Sequence, residues 1–370
     1  NEVALARIRK GVGRPGDVLL SHKGTVGKVA LAPLNAPPFV CSPQTTFWRV
    51  LDTELIDRRY LYAYLRSPEF HAQLASRKGE TDMADYVSLT AQRQLRVALP
   101  SIGVQREIGV IVGVLDDRIE LLRKTNTTLE SIAQALFKSW FIDFDPVRVR
   151  QAGREPEGMD AATAALFPAE FEESALGLIP KGWSVKSLDS LATYLNGLAL
   201  QKFPPERDDE FLPVIKIAQL RAGSTAGADR ASARLKPEYV VHDGDVLFSW
   251  SGSLEVEFWC GGDGALNQHL FKVTSVEVPK WFYYLATRHF LHGFRETAAH
   301  KATTMGHIQR KHLTEAKLAV PPASKLTAFG QLIGPLLDRR IANSRQAREL
   351  AALRDTLLPR LISGKLRLPE

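Results

Sequence analysis

The sequence has 370 residues, of which 45% are hydrophobic and 24% charged, and its net charge is +7 at pH 7. This length exceeds a single hydrophobic core and predicts two or three domains. The sequence contains no apolar run of membrane-spanning length, and its two cysteines, Cys41 and Cys260, exclude a disulfide framework or a zinc cluster, so we expect a cytoplasmic protein. The positive charge favours an anionic partner, without by itself identifying nucleic acid.

A nine-residue motif occurs twice, as GDVLLSHKG from Gly16 to Gly24 and as GDVLFSWSG from Gly244 to Gly252. Further landmarks follow each copy in the same order. They are Gln44 to Phe47 matched by Gln268 to Phe271, Thr81 to Met83 matched by Thr303 to Met305, a short apolar strand ending at Pro100 or Pro321, and LDDRI at 115–119 matched by LDRRI at 337–341. This order predicts a tandem repeat of a β-rich unit followed by a long helix.

The two copies differ in what precedes the motif. The second copy has a long segment between Pro180 and Gly244, whereas Gly16 lies close to the first residue of the sequence. Equal repeat units would place roughly fifty further residues at the beginning of the first unit. We therefore expect the first domain to be incomplete, and an inherently shorter first unit remains the alternative.

The first long helix has a strict heptad pattern. Its core positions are Ile108, Val112, Leu115, Ile119, Leu122, Asn126, Leu129, Ala133, Leu136 and Trp140. An ordinary amphipathic helix would drift with a period of about 3.6, so the strict alternation of three and four favours a coiled coil. Asn126 is the polar position that would fix the register.

The second long helix has a looser version of the same pattern. Its core positions are Phe329, Ile333, Leu337, Ile341, Ala347, Leu350, Leu353 and Leu357, and Pro335 is expected to kink the helix or to mark its beginning. We expect the two helices to pair with each other in an antiparallel arrangement. A helix of about 35 residues would be a spacer on the order of 50 Å, which corresponds to roughly 15 base pairs of B-DNA.

Four segments together resemble the specificity subunit of type I restriction-modification systems. They are LDDRIELLRKTNTTLESIAQALFKSWFIDFDPV at 115–147, GLIPKGWSVKSL at 177–188, GDVLFSWSGS at 244–253 and LRDTLLPRLISGKL at 353–366. The resemblance covers nearly the whole chain. It implies two target-recognition domains, each of which reads half of a split sequence in double-stranded DNA, and paired helices between them.

The expected fold is therefore of the α+β class: a pseudo-twofold tandem repeat with two β-rich target-recognition domains separated by a pair of long antiparallel coiled-coil helices. We expect a first recognition domain at 1–100, a central spacer helix at 101–142 and a linker at 143–179. A second recognition domain at 180–322 and a C-terminal spacer helix at 323–370 complete the prediction.

The resemblance also implies partners and a non-catalytic role. The helices of the family bind two methyltransferase subunits, and a restriction and translocase subunit joins the full complex. Adenine methylation and S-adenosylmethionine belong to those partners, so we expect no cofactor, metal or active site in this chain. The alternatives are a truncated subunit that dimerises on a symmetric split target and, more remotely, a stand-alone methyltransferase or nuclease.

Candidate DNA-binding residues follow from side-chain type and position, because lysine and arginine bind phosphates while amides, hydroxyls and histidines read base edges. The candidates in the first copy are Lys23, Thr25, Lys28, Gln44, Arg77 and Lys78. The candidates in the second copy are Trp250, Ser251, Ser253, Gln268, His269, Lys301, Thr303, Thr304, His307, Arg310 and Lys311. Gln44 and Gln268 could instead serve the fold, since both copies have them, and Trp250 could belong to the core.

Catalytic motifs are only approximated. GTVGKV at 24–29 lacks the spacing of a phosphate-binding loop, and NAPPF at 35–39 has Ala36 where an adenine methyltransferase has a polar residue. Asp245, Glu255 and Glu257 suggest a nuclease pattern, but Glu257 stands where lysine is required. The sequence therefore favours a DNA-binding subunit over an enzyme.

Overall fold

The computed structural model describes residues 8, 11–77, 85–300 and 306–366. The chain is mixed α/β and divides into two compact units. Unit 1 comprises Asn1–Leu121 and Glu349–Glu370, and unit 2 comprises Leu122–Arg348. Within the described residues, no helix combines the length and apolar character that a membrane crossing requires.

Unit 1 contains short strands and short helices. The strands are β1 (Val12–Gly13), β2 (Val18–Ser21), β3 (Val29–Leu31), β4 (Phe39–Val40) and β5 (Thr45–Trp48). The helices are α1 (Arg58–Tyr64), α2 (Pro68–Ala75) and α3 (Leu89–Gln92). Strand β2 lies between β3 and β5 in an antiparallel sheet, and β1 pairs with β4.

The core of unit 1 lies between this sheet and the helices. Val18 and Leu20 alternate along β2 and are both fully buried, because residues two apart on a strand face the same side. They join a cluster that includes Tyr60 and Phe70 from the short helices. Buried tyrosines need partners, and the Tyr60 hydroxyl donates to the Ala98 carbonyl at 2.6 Å.

Two 40-residue helices contribute to both units. The first spans Ile102–Phe141 and is labelled α4, and the second spans Ala323–Ile362 and is labelled α11 by its place in chain order. In unit 1, Ile108 and Val112 of α4 share the core with Leu358 and Leu361 of α11.

Unit 2 contains the remaining elements. Its helices are α5 (Asp145–Gln151), α6 (Ala161–Ala164), α7 (Leu188–Leu191), α8 (Ile217–Ala222), α9 (Lys280–His300) and α10 (Arg310–Glu315), with 3-10 turns at Leu200–Lys202 and Pro237–Tyr239. Its strands are β6 (Phe171–Ser174), β7 (Gly177–Pro180), β8 (Ser184–Ser187), β9 (Thr193–Asn196), β10 (Phe211–Ile215), β11 (Arg230–Ser232), β12 (Val240–Val241), β13 (Val246–Ser249), β14 (Val256–Phe258), β15 (Gly264–Leu266), β16 (Leu270–Thr274) and β17 (Lys317–Val320).

The sheet that contains the second motif has the strand order β14-β13-β16-β9, with all pairs antiparallel. Its first three strands repeat the order β3-β2-β5 of unit 1. A second sheet has the order β11-β10-β15-β12, and two strand pairs, β17-β8 and β6-β7, complete the unit. The motif therefore supplies the central strand of the same three-stranded arrangement in both units.

The segment 143–179, expected as a linker, is folded within unit 2. Phe144, Val147, Phe167 and Ile179 are buried in the main core of this unit. The segment is therefore not an extended linker, because burial of these apolar side chains in the core removes them from water and favours a folded segment. The ring of Phe167 lies 4.9 Å from that of Phe329, which anchors the segment on α11.

Two expectations for α11 also need correction. Pro335 does not mark the beginning of the helix, which runs from Ala323 to Ile362, and its side chain is exposed. Leu353, expected in the packing seam, is 48% exposed, whereas Leu358 is 3% exposed. The looser heptad pattern of this helix left its register ambiguous, and packing within unit 1 selects the face that carries Leu358.

Candidate nucleic-acid interface

The first letters of the repeated motif form a turn that leads into the central strand. Gly16 and Gly244 have positive φ angles of 79° and 88°, which glycine adopts without steric cost. The next residue, Asp17 or Asp245, accepts a hydrogen bond from the backbone N–H three residues earlier, at 2.7 Å in unit 1 and 2.8 Å in unit 2. The Gly-Asp pair occurs in both copies because it builds this turn.

The last residues shared by the two copies belong to a hydrogen-bonded turn that follows the central strand. This turn, at 21–28 in unit 1 and 249–255 in unit 2, is called the tip. The hydroxyl of Ser21 donates to the carbonyl of Thr25 at 2.5 Å, and the hydroxyl of Ser249 donates to the carbonyl of Ser253 at 2.7 Å. Each serine also accepts a backbone N–H from the returning chain, at 2.8 Å and 2.7 Å. The shared serines therefore have the same structural role.

A second segment joins each tip from elsewhere in its unit. Tyr86 forms an isolated antiparallel bridge with Lys23, and His307 forms the corresponding bridge with Ser251. The carbonyl of residue 22 accepts the N–H of residue 87 at 2.9 Å, and the carbonyl of residue 250 accepts the N–H of residue 308 at the same distance. Sequence reasoning missed Tyr86. The signal was available, because the repeated segments that end at Met83 and Met305 come just before Tyr86 and His307.

Strand pairing corrects the match between the two glutamines. Ser21 pairs with Thr45 at the start of β5, and Ser249 pairs with Leu270 at the start of β16, so the letter-based match is displaced by one position. The carbonyl of Gln44 accepts the N–H of residue 22 at 2.8 Å, and it is the carbonyl of His269 that accepts the N–H of residue 250, at 3.4 Å. Gln44 is therefore the counterpart of His269 and not of Gln268.

In unit 1 four of the candidate residues at or beside the tip are exposed to solvent. Lys23, Thr25, Lys28 and Gln44 are exposed. Arg77 is half-buried and donates to the carbonyls of Gln73 at 3.4 Å and Gln94 at 3.3 Å. Lys78 lies outside the described residues.

In unit 2 a cluster of aromatic and polar side chains, formed by Trp250, His269 and His307 with Ser251, occupies the tip. The half-buried Trp250 donates its indole N–H to Asn196 at 2.9 Å, and its ring lies 6.0 Å from His269 and 6.3 Å from His307. Ser251, expected at the DNA surface, is only 4% exposed, and its hydroxyl lies 3.0 Å from Nδ1 of His269. The expectation for Ser251 is therefore wrong: the segment at His307 covers this serine, and its hydroxyl supports His269.

A shallow pocket of about 310 Å³ lies beside this group. Gln201, Lys216, Asn267, Gln268 and His269 line it. The amide nitrogen of Gln268 lies 3.3 Å from Nε2 of His269. Sequence reasoning missed Gln201 and Lys216, because they belong to the segment before the second motif, for which the first copy offers no counterpart.

Ser253 is exposed and lines another pocket, of about 380 Å³, together with Arg221 and Arg295. Arg295 forms an ion pair with Glu255 at 2.9 Å. Glu255 also lines this pocket, so one of its two arginines is already paired with a carboxylate.

The basic stretch that follows α9 is described in part. Lys301, Thr303 and Thr304 lie outside the described residues. Lys311 is exposed, and the guanidinium of Arg310 donates to the Tyr194 carbonyl at 3.2 Å. His312 is buried, and its Nδ1 accepts the N–H of Gln309 at 2.9 Å, which caps α10.

The carboxylates of the nuclease-like pattern are paired with cations. Asp245 lies 2.8 Å from Lys272, and Glu255 pairs with Arg295 as described above. Glu257 contacts Arg288 at 2.9 Å. Among the described residues, no three His, Cys, Asp or Glu side chains group in a way that could hold a metal ion.

A buried charge network joins α4 to the core of unit 2. Glu130 of α4 accepts a hydrogen bond from the Tyr284 hydroxyl and forms an ion pair with Arg288, both at 2.9 Å. Arg340 of α11 lies 3.2 Å from Glu130 and also contacts Glu257. Burial lowers the pKa of Arg340, but the surrounding groups, which include Glu257 and Glu130, raise it by more than burial lowers it. The net pKa lies above the usual arginine value, so this guanidinium stays charged.

The predicted packing positions of the helices fall on buried and half-buried faces, apart from Leu353. Ile119, Leu122 and Leu337 are buried, and Leu115, Asn126, Leu129, Leu136, Ile341 and Leu350 are half-buried. In unit 2 the amide nitrogen of Asn126 donates to Ser344 at 2.9 Å, and its oxygen accepts from Asn343 at 3.0 Å. In unit 1 Asp116 of α4 accepts from Arg354 of α11 at 2.8 Å.

Comparisons with known proteins point in one direction. Residues 180–349 match the family model described as the type I restriction modification DNA specificity domain. The chain is 25% identical to the type I restriction enzyme MjaIX specificity subunit of Methanocaldococcus jannaschii, over 96% of this chain and 78% of that protein. It is 24% identical to the type I restriction enzyme HindI specificity subunit of Haemophilus influenzae, over 79% of this chain and 72% of that protein.

A solved structure shares the fold. It is the S subunit of a type I restriction-modification system from M. genitalium, which matches with a TM-score of 0.50 at 14% sequence identity. The match covers 96% of this chain and 85% of that chain.

Proposed function

We propose that this chain, which is a specificity subunit of the type I restriction-modification family, reads a split DNA sequence through two target-recognition domains. As a specificity subunit it is the non-catalytic member of its complex. Methyl transfer from S-adenosylmethionine and DNA cleavage then fall to methyltransferase and restriction subunits. The proposed recognition domains are residues 1–100 and 180–322.

One observation carries the proposal: both units present the same hydrogen-bonded tip with different side chains on it. A shared scaffold with different surface residues suits two modules that read different half-sites by the same geometry. Lys23 and Lys28 in unit 1 and Lys311 in unit 2 would bind phosphates, and Gln44, Gln268 and His269 would face base edges. Trp250 would contact the sugar or stack against it.

The long helices would act as the spacer and as the docking site for two methyltransferase subunits. Antiparallel pairing of α4 and α11 as a coiled coil is supported by the bonds of Asn126 to α11 in unit 2 and by the Asp116–Arg354 pair in unit 1. A pseudo-twofold arrangement of the tandem repeat would follow from this pairing.

The test is sequence selection by the assembled methyltransferase. The chain, its methyltransferase partner and S-adenosylmethionine are incubated with a library of randomised duplexes, and methylated adenines are mapped. We expect methylation at one split sequence with two different half-sites and one copy of this chain per complex. A symmetric target with two copies would instead identify a dimerising half-length subunit, and methylation independent of sequence would contradict the proposal.

A further inference from the structure

We propose that two matched positions on each tip determine the bases read: Gln44 and Tyr86 in unit 1, and His269 and His307 in unit 2. This inference rests on the proposed function and names the residues that set its specificity. The sequence motifs did not single out Tyr86, and the correct partner of Gln44 emerges only from strand pairing.

The first step is that these positions serve the fold through their backbone. Gln44 and His269 each offer a carbonyl to the tip, and Tyr86 and His307 each form the bridge that attaches the second segment. Backbone groups are the same in every residue, so the scaffold does not dictate the side chains. The scaffold is the same in both units, while the side chains differ.

The second step is accessibility. Gln44 is exposed, and Tyr86, His269 and His307 are half-buried, so all four retain surface for a ligand. Their amide, phenol and imidazole groups can both donate and accept hydrogen bonds. These are the groups that distinguish base edges, whereas a phosphate-binding position would favour lysine or arginine.

The third step is that a neighbour orients the rings. In unit 1 the ring of the buried His22 lies 5.5 Å from that of Tyr86. In unit 2 Ser251 holds Nδ1 of His269, and the Trp250 ring lies beside both histidines. Motif positions 22–23 and 250–251, which are among those that differ between the copies, therefore include residues that support the base-reading side chains.

The experiment compares four alanine variants in the assembled methyltransferase: Gln44→Ala, Tyr86→Ala, His269→Ala and His307→Ala. The selected target sequence is read from the randomised duplex library. We expect the first two variants to relax base preference in one half-site only and the last two in the other half-site only. Each loss of discrimination should be about 5- to 150-fold, the usual value of a base-edge contact.

Thr53→Ala and Lys317→Ala are the matched controls, because both residues are exposed and lie away from the tips in sequence. They should leave both half-sites unchanged. Gln44→Glu, Tyr86→Phe, His269→Asn and His307→Asn replace any alanine variant that fails to fold. If the wild-type chain selects a split target and every folded variant selects the same bases, this inference is overturned and the proposed function stands; if the wild type selects no split target, the proposed function itself fails.

Discussion

Asp17 and Asp245 begin the same turn but take their cations from different places. Asp17 binds the guanidinium of Arg49 in two hydrogen bonds of 2.8 Å and 2.7 Å, whereas Asp245 contacts Lys272 at 2.8 Å. Arg49 directly follows β5, and Lys272 lies within β16. The repeat therefore preserves the carboxylate and its turn, and each unit neutralises it with a different side chain.

At this scale we expect a pH-dependent stability in unit 1. Burial raises the pKa of Asp17, but the hydrogen bonds from Arg49 and from the Arg14 backbone lower it more, so its pKa lies below the ordinary value of 3.8. A carboxyl whose pKa is lowered by folding stabilises the fold above its unfolded pKa, and this contribution disappears as the pH falls below about 4. Asp17→Asn should cost about 1–3 kcal/mol at pH 7 and show a weaker acid dependence.

Hydrogen exchange across 14–32, followed from pH 7 to pH 3, measures this difference. Glu107→Gln, a change at an exposed carboxyl of α4, is the control and should behave as the wild type. Equal acid sensitivity in the wild type and in Asp17→Asn would show that the Arg49 pair does not carry the effect.

The long helices combine apolar packing with buried polar contacts. Glu130, which is 7% exposed, accepts a hydrogen bond from a tyrosine of α9 and forms ion pairs with an arginine of α9 and with Arg340 of α11. Removing one partner of a buried ion pair leaves an unpaired charge in the core, so changes at these residues are costly. The network thus links α4, α9 and α11 within unit 2.

Asn126 and Asn343 offer a prediction for this pairing of helices. Asn343 is 2% exposed, and its side-chain amide donates to Asn126. Asn126→Leu or Asn343→Leu alone leaves a buried amide unsatisfied and should cost about 1–3 kcal/mol. The double leucine variant should lose less than the sum of the two, because it removes both partners.

Urea unfolding of the wild type, the two single variants and the double variant gives the coupling energy, expected at about 0.5–3 kcal/mol. Thr127→Ala, at an exposed position of the same helix, should have little effect. Strictly additive losses in the cycle would mean that the two asparagines do not depend on each other.

The whole molecule has a net charge of +7, and each unit exposes lysines in or near its tip. Phosphate contacts of this kind give affinity that falls as salt displaces the protein from DNA. We expect Lys23→Ala and Lys311→Ala to weaken binding to target and unrelated duplexes alike, and each to reduce the slope of log K against log salt by about 1.

Fluorescence titrations of the assembled complex between about 50 and 200 mM salt, the range over which such contacts change affinity strongly, provide the slopes. Gln44→Ala is the contrasting variant, since it should change discrimination while leaving the slope intact. A lysine variant that alters only one half-site and not the slope would assign that lysine to base reading.

The repeat, the two long helices and the turn of the motif can be predicted from the properties of residues that are close together in the sequence. Glycine permits a positive φ, serine and aspartate bond to the backbone a few residues away, and heptads are read along one helix. The family could be recognised at this level too, because the order of the motifs spans nearly the whole chain.

Which side chains meet is decided by packing between distant parts of the chain. This packing matches Gln44 with His269, brings Tyr86 to the tip, covers Ser251, folds 143–179 into unit 2 and leaves Leu353 in solvent. A shift of one residue in strand register exchanges the two faces of a strand, and burial of a side chain depends on the segment that packs over it. Neither the register nor the covering segment is encoded within the few residues around each position, so both become visible only in the folded chain.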